Sequence, residues 1–349
     1  MLIKRLVISL TGIIAAMFLS NPEAVAANEG KPLFAAHEVI EARVEAPLKT
    51  LMKTRPEEEY LDGSFIYLDD DGSEHGFDLK LQTRGRYRRQ KSTCNFPPVR
   101  LNFRKGQVKG SLFDGQDKLK LVTHCQNRRT KYEQLVLREY LAYRILQVLT
   151  DASFSARLMH ITWIDTEGAA PLVRYGFVIE DDDDIADRMG LEKLESDGLS
   201  YAELEPRQAN LVNVFEYLIG NTDFSLIRGP ANDHCCHNAV PFAGADGVLA
   251  VPYDFDFSGL VDAPYAEPNP RFKIRNVRTR IYRGRCSNNV ILSQTLTHLQ
   301  ERKQEIYGIV DGLAFDKKNR KQVIGYLDSF YELAANPKKV NRELVKECS

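Results

Sequence analysis

Three short polar stretches in the second half of the chain carry residue types suited to group transfer. Asn221-Thr222-Asp223 follows an apolar-faced helical segment, and Asn238 comes 15 residues after Asp223 at the start of a strand-like run. Tyr253-Asp254-Phe255-Asp256-Phe257-Ser258-Gly259 ends the run that would pair with it. A carboxylate in a loop can accept a hydroxyl proton. An amide oxygen and a carboxylate on the two arms of one hairpin can hold Mg²⁺, which takes a few hard oxygen ligands and leaves room for phosphate oxygens. Together these are the parts of phosphoryl transfer: a base Asp, a metal-binding Asn and a metal-binding Asp. Asp254 and Asp256 are two residues apart, so in extended backbone their carboxylates face one side.

Each residue also has a plainer reading. Asp223 could be a turn residue, and Asn238 a strand-end amide. Asp254 and Asp256 could be a buried pair satisfied by backbone donors, although two carboxylates in an apolar strand are costly unless paired or metal-bound. The run Arg84, Arg86, Arg88, Arg89, Lys91 is a solvated face, an anion site or a nucleic-acid patch. Asp181 to Asp184 reads as a solvated turn or helix start, because it lacks the spacing and Gly of a calcium loop. His234-Cys235-Cys236-His237 has the residue types of a metal cluster, but four consecutive side chains do not easily converge on one tetrahedral ion.

The elements that must position these residues come in the order strands, one helix, strands, then mainly helices. Residues 28–62 read as a polar, partly helical lead-in. Ser64 to Asp69 and Phe77 to Gln82 form a hairpin, followed by strands at 99–103 and 118–122. Tyr132 to Leu149 is the clearest helix, with Leu135, Leu141, Ile145 and Leu149 near helical spacing. Strands follow at 158–165 and 174–179, then a helix at 185–195. Pro206 opens a further helix that stops at Gly220-Asn221. His237 to Phe242 and Val248 to Tyr253 make the polar hairpin, and helices near 290–309 and 316–334 close the chain.

The ordered motifs resemble the spore-coat protein H (CotH) kinase-like family and, more distantly, HipA-type atypical kinases. The match rests on NTD, HN and VPYDFDFSG, preceded in order by QTRGRYRR, FPPVRLNF, KLKLV, YEQLVLREYLAYRIL and RYGFVIEDDDDIADRMG, over roughly residues 76 to 260. The resemblance implies a two-lobed α+β atypical protein-kinase-like fold. Its small antiparallel-sheet lobe with one long helix would span 27–180, and a larger, mainly helical lobe with the catalytic hairpin 181–349. It implies ATP and Mg²⁺ (or Mn²⁺) as cofactors and a protein hydroxyl as acceptor. Asp223 matches the catalytic base, Asn238 and Asp254 the metal ligands, with Asp256 the other candidate. Lys120, Arg100 or Arg84 would hold the nucleotide phosphates, Glu139 or Glu133 would pair with that cation, and backbone from Ile179 through Glu180 to Asp181 would meet the adenine. Tyr253 stands where the family has Trp, Arg100 where Lys is commoner, and no G-x-G-x-x-G loop is present.

Composition narrows the setting. With 349 residues the chain has room for about two domains. Hydrophobic residues are 43% and charged residues 27%, as in ordinary globular proteins. Lys and Arg number 47 against 48 Asp and Glu, a balance that argues against nucleic-acid binding by bulk charge. Lys4-Arg5, the apolar run Leu6 to Leu19 and the small-x-small Ala24-Val25-Ala26 read as a secretory signal peptide over 1–26, leaving a mature chain without a stable membrane span. The expectation is an exported protein, periplasmic or extracellular. Its six cysteines (Cys94, Cys125, Cys235, Cys236, Cys286, Cys348) would form disulfides, with neighbours Cys235 and Cys236 each reaching elsewhere. An exported chain meets little ATP. The second reading is therefore a catalytically inactive pseudokinase or surface-binding module of the cell envelope. A third is an envelope hydrolase built on Asp254 and Asp256, which lie too near each other in sequence for the usual pair flanking a sugar bond.

Overall fold

The computed structural model describes residues 30–69, 71–230 and 234–349. The signal peptide expected at 1–26 lies outside them. Seven strands form a closed barrel: β1 (Ile40–Ala46), β2 (Leu61–Leu68), β3 (Glu74–Thr83), β4 (Val99–Phe103), β5 (Lys118–Val122), β6 (Ala156–Asp165) and β7 (Leu172–Ile179). Their order around the ring is β1-β2-β3-β4-β5-β7-β6. Neighbours run antiparallel except β1 and β6, whose parallel pairing from Ile40 opposite Met159 to Ala46 opposite Asp165 closes the ring. Alternation along the strands fills the interior: Val44, Phe65, Tyr67, Leu79, Leu81, Leu101, Leu119, Ile161 and Trp163 all point in and are buried.

This corrects the expected two-lobed kinase-like architecture. The sheet is a closed, mixed barrel with its own core, not a small open antiparallel sheet. The difference starts in residues 28–62, which are not a polar lead-in. They hold β1, whose two short alanines and three charged residues hide its Ile40/Ala42/Val44/Ala46 inward face, and α1 (Leu48–Thr54). A strand that pairs in parallel with a partner so far along the chain leaves no local signal.

After the short α2 (Lys105–Val108), α3 (Lys131–Leu149) runs between β5 and β6 and packs on the outer face of β6 and β7. That buries both faces of β6 over Ala156–Met159 and of β7 over residues 176–179, with Leu158 and Phe177 outside the barrel and Met159, Ile161 and Val178 inside. Because α3 is covered nearly all round, it buries Arg138 and Glu139 as well as Leu137, Leu141 and Ile145. Arg138 is satisfied by the carbonyls of Leu260 and Val261 and by the side chains of Asn319 and Gln322.

The rest of the chain forms a helical layer around a second core. It contains α4 (Asp182–Met189), the two-residue strand β8 (Glu192–Lys193), α5 (Pro206–Ile219), the hairpin β9 (Ala239–Gly244) and β10 (Gly247–Pro252), and helices α6 (Asn289–Glu301), α7 (Lys303–Gly312) and α8 (Lys317–Ala334). The expected helix at 290–309 is thus two helices, α6 and α7, meeting at Arg302. Among the described residues no helix is long and apolar enough to cross a membrane.

Candidate functional site

The site is built around the root of the β9–β10 hairpin. Helix α5 stops at Gly220, whose left-handed backbone (φ 67°) lets its N–H reach back to the carbonyls of Glu216 and Tyr217. The chain then turns through Asn221, whose side-chain oxygen accepts from the Asp223 N–H at 2.9 Å. The Asp223 carboxylate accepts from His237 Nε2 at 2.9 Å and from Asn238 Nδ2 at 3.2 Å, and the same amide donates to the Asp223 carbonyl at 2.6 Å. Facing a carboxylate, His237 Nε2 is the protonated nitrogen. The hydrogen bond that His237 donates to Asp223 raises the His237 pKa against the opposing effect of burial.

Asn238 and Asp254 mark the two ends of the hairpin, and the Tyr253 N–H closes the pair by donating to the Asn238 carbonyl at 2.9 Å. Both sit in the left-handed region, with φ 52° at Asn238 and 62° at Asp254. That backbone is uncommon for residues with a Cβ, and such outliers concentrate at functional positions. The Asp254 N–H is held by the Tyr143 hydroxyl of α3 at 2.9 Å.

Behind this root lies a buried charge cluster. Arg88, in the loop after β3, donates through both terminal nitrogens to the two oxygens of Glu139, at 2.9 and 3.2 Å. Its Nη2 also reaches Asp254 at 3.1 Å and its Nε reaches Asp256 at 3.1 Å. Burial works against the Arg88 charge, but Asp256 and Glu139 more than offset it and hold its pKa above the ordinary arginine value. Burial pushes the Asp256 and Glu139 carboxyls up, with Arg88 pulling each back down. One guanidinium therefore serves three carboxylates, and Asp254 is the only one with substantial exposure, 43% of its side chain.

A cavity of about 580 Å³ opens over these groups, lined by Arg84, Arg88, Asp223, His237, Asn238, Asp254 and Asp256. An adjoining crevice of about 10 Å³ lies between Arg84, Lys120, Tyr143, Phe154, Ile179 and Tyr253, room for roughly one water. A larger groove of about 930 Å³ between α6 and α8 shares no lining residue with the site.

Asp223, Asn238, Asp254, Asp256 and Arg84 thus share one cavity. Arg84 has no side-chain partner among the described residues, and burial lowers its pKa with Asp254 opposing. Lys120 reaches only the crevice and is bound to Asp182 at 3.2 Å. Arg100 pairs across the sheet with Lys120 through backbone register but lines neither space, and its Nε is buried without a partner. Glu139 does pair with a cation, but that cation is Arg88. Glu133 accepts from the Tyr175 N–H. Glu180 is bound to Arg188 and the Ser155 N–H, outside the cavity.

Sequence reasoning missed Arg88 as the central cation, and with it His237, Tyr143 and Tyr265, whose hydroxyl bonds the buried Asp256 carboxyl. Arg88 was one of five bases in a run, and nothing local distinguishes the one turned inward. The signal for His237 was its place beside Asn238 at a strand start. The cysteines pair as Cys94–Cys125, Cys286–Cys348 and Cys235–Cys236. The last corrects the expectation that neighbours Cys235 and Cys236 reach elsewhere. His234 turns away to Asp197 while His237 binds Asp223, so the four-residue run does not gather around an ion.

The site residues fit a divalent cation in part. Asn238 uses its amide nitrogen on Asp223 and its side-chain oxygen accepts from none of the described residues, and Asp254 has one oxygen not engaged by Arg88. Asp256 is buried and committed to Arg88, so it is the poorer ligand. The sequence matches no protein-family model and no curated relative.

Proposed function

We propose that this chain is an exported phosphotransferase that moves a phosphoryl group from ATP to a protein hydroxyl with Mg²⁺ or Mn²⁺. The proposal keeps the chemistry suggested by the resemblance to the spore-coat protein H family and drops its two-lobed architecture. The observation that carries it is the convergence of Asp223, Asn238 and Asp254 on one cavity, with Arg84 among its walls. A 580 Å³ space is in the range that holds a nucleotide-sized ligand. Export is supported by the N-terminal leader sequence and the three disulfides.

In this reading Asp223 orients the acceptor hydroxyl and takes its proton, while His237 and Asn238 fix the carboxylate so that little reorganisation is needed. Asn238 and Asp254 would hold the cation, which when bound neutralises charge on the transferring phosphate. Arg84, which has no hydrogen-bonded side-chain partner among the described residues, would meet phosphate oxygens.

A second reading is favoured by Arg88: a chain in which the guanidinium stands in place of the metal and the cavity binds without reacting. Thermal unfolding with Mn²⁺, with ATP and with both, in the parent and in Asp254→Asn, tests the first reading, since a ligand of the native state raises stability. Absence of any metal-dependent nucleotide effect defeats it. Stabilisation without transfer of radiolabelled phosphate to a protein acceptor selects the second.

A further inference from the structure

From Arg271 to Arg285 the chain carries seven basic residues (Arg271, Lys273, Arg275, Arg278, Arg280, Arg283 and Arg285) and no acidic one, in a protein whose formal net charge is −1. Four of the seven are anchors. Arg278 pairs with Asp262, Arg280 donates to the carbonyls of Leu218 and Tyr326, and Arg285 stacks over Tyr201. Arg283 donates to the carbonyls of Thr222 and Phe224, the two residues that flank Asp223. The segment is therefore stitched along the turn that carries the proposed base.

The other three are exposed. Arg271, Lys273 and Arg275 have no carboxylate partner among the described residues. Arg271 is tied to the site through an aromatic ring: the Phe272 ring has the Arg271 guanidinium at 5.9 Å and the Arg283 guanidinium at 5.4 Å, and Lys273 and Arg275 follow in the same segment. The order of groups is thus Asp223, the carbonyls beside it, Arg283, Phe272, Arg271. A polypeptide presenting a hydroxyl to Asp223 has this unpaired positive strip beside it.

We propose that the segment Arg271–Arg285 is a docking strip for an acidic polypeptide, so that the acceptor is a hydroxyl flanked by Asp or Glu. This rests on the phosphotransferase reading for its meaning, but the binding itself does not require it. Charge complementarity of this kind steers encounter and selects partners. A nucleic acid fits the strip less well. Phe272 is occupied by guanidinium groups and Tyr282 is buried, so no free aromatic face is offered for base stacking.

The test is fluorescence anisotropy of the purified full chain, without nucleotide, against a short Glu-rich peptide with one central Ser. The comparison ligands are the same peptide with Lys for Glu and a single-stranded oligonucleotide of equal length. The acidic peptide is expected to bind best, to weaken as salt rises, and to lose roughly tenfold in affinity in Lys273→Glu/Arg275→Glu. Both side chains are exposed, and an unchanged melting temperature checks the fold of the variant. Equal binding of the two peptides, tighter binding of the oligonucleotide, or an unaffected variant overturns the proposal. Peptide binding that persists while phosphate transfer fails counts against the phosphotransferase reading alone.

Discussion

Arg88 and Glu139 meet through two parallel N–H···O contacts, joining the loop after the third barrel strand to the long helix outside the barrel. The same guanidinium reaches Asp254 and Asp256, so a single side chain ties barrel, helix and hairpin root together. Removing one partner of a buried pair leaves an uncompensated charge, at a cost of about 3–5 kcal/mol. Arg88→Met is expected to lower stability by that order in urea denaturation. The double variant Arg88→Met/Glu139→Gln should recover part of it, because one stranded carboxylate is then neutral. Equal losses in the single and double variants would show that the contact is not energetically coupled.

Asp254 and Asp256 should separate cleanly. Asp254→Asn alters a half-exposed carboxylate, so stability without metal should change by under about 1 kcal/mol, while stabilisation by Mn²⁺ disappears. Asp256→Asn strips a buried partner from Arg88 and should cost more than about 2 kcal/mol while keeping a Mn²⁺ effect in whatever folds. Calorimetric titration of Mn²⁺ together with urea melts reads both. The opposite pattern would make Asp256 the ligand.

Glu216, on α5 beneath the Asp223 turn, is fully buried with neither carboxylate oxygen in a well-formed hydrogen bond, and the nearby Asn221 amide and Arg283 charge only partly oppose the effect of burial. Burial pushes its pKa from 4.5 to about 8. A carboxyl that binds its proton more tightly when folded stabilises the fold below the unfolded value and loses that contribution as pH rises. Stability should therefore fall between pH 4.5 and about 8, by a few kcal/mol as an order of magnitude. Glu216→Gln should flatten this slope and make the protein more stable than the parent at pH 8. Chemical denaturation at several pH values measures it, and an unchanged slope would show that Glu216 is not the group responsible.

The Cys94–Cys125 bridge joins residues 31 apart and closes the segment that carries β4 and β5. Arg55 reinforces it by donating to the Cys94 carbonyl at 2.7 Å. Loop-closure entropy assigns such a bridge about 3–4 kcal/mol. Cys94→Ser/Cys125→Ser should lose stability of that order by urea melt. It should also weaken binding in the Arg84–Arg88 cavity, because the loop bearing those cations is anchored just before Cys94.

Local pattern made most of the elements legible. Hairpin strands, the 132–149 helix and the Pro206-to-Gly220 helix are visible because side-chain period, proline and glycine act over a few residues. The juxtaposition of Asp223, Asn238 and Asp254 was legible for the same reason, since one hairpin root holds all three. Barrel closure was not, because the parallel partner of Ile40 is Met159. Nor was the choice of Arg88 among five neighbouring bases, which depends on where α3 presents Glu139. The Cys235–Cys236 bond went unread because adjacent cysteines were expected to diverge.

The parallel pairing of the first and sixth barrel strands also constrains how this protein comes into being. The ring cannot shut until β6, which bears Trp163, and then β7 have formed, since β6 supplies the second partner of Ile40–Ala46 and β7 joins β6 to β5. Until then Ile40–Ala46 has only its antiparallel neighbour β2, and its non-local pairing is deferred. Once shut, the ring leaves no free strand margin on which a second chain could polymerise.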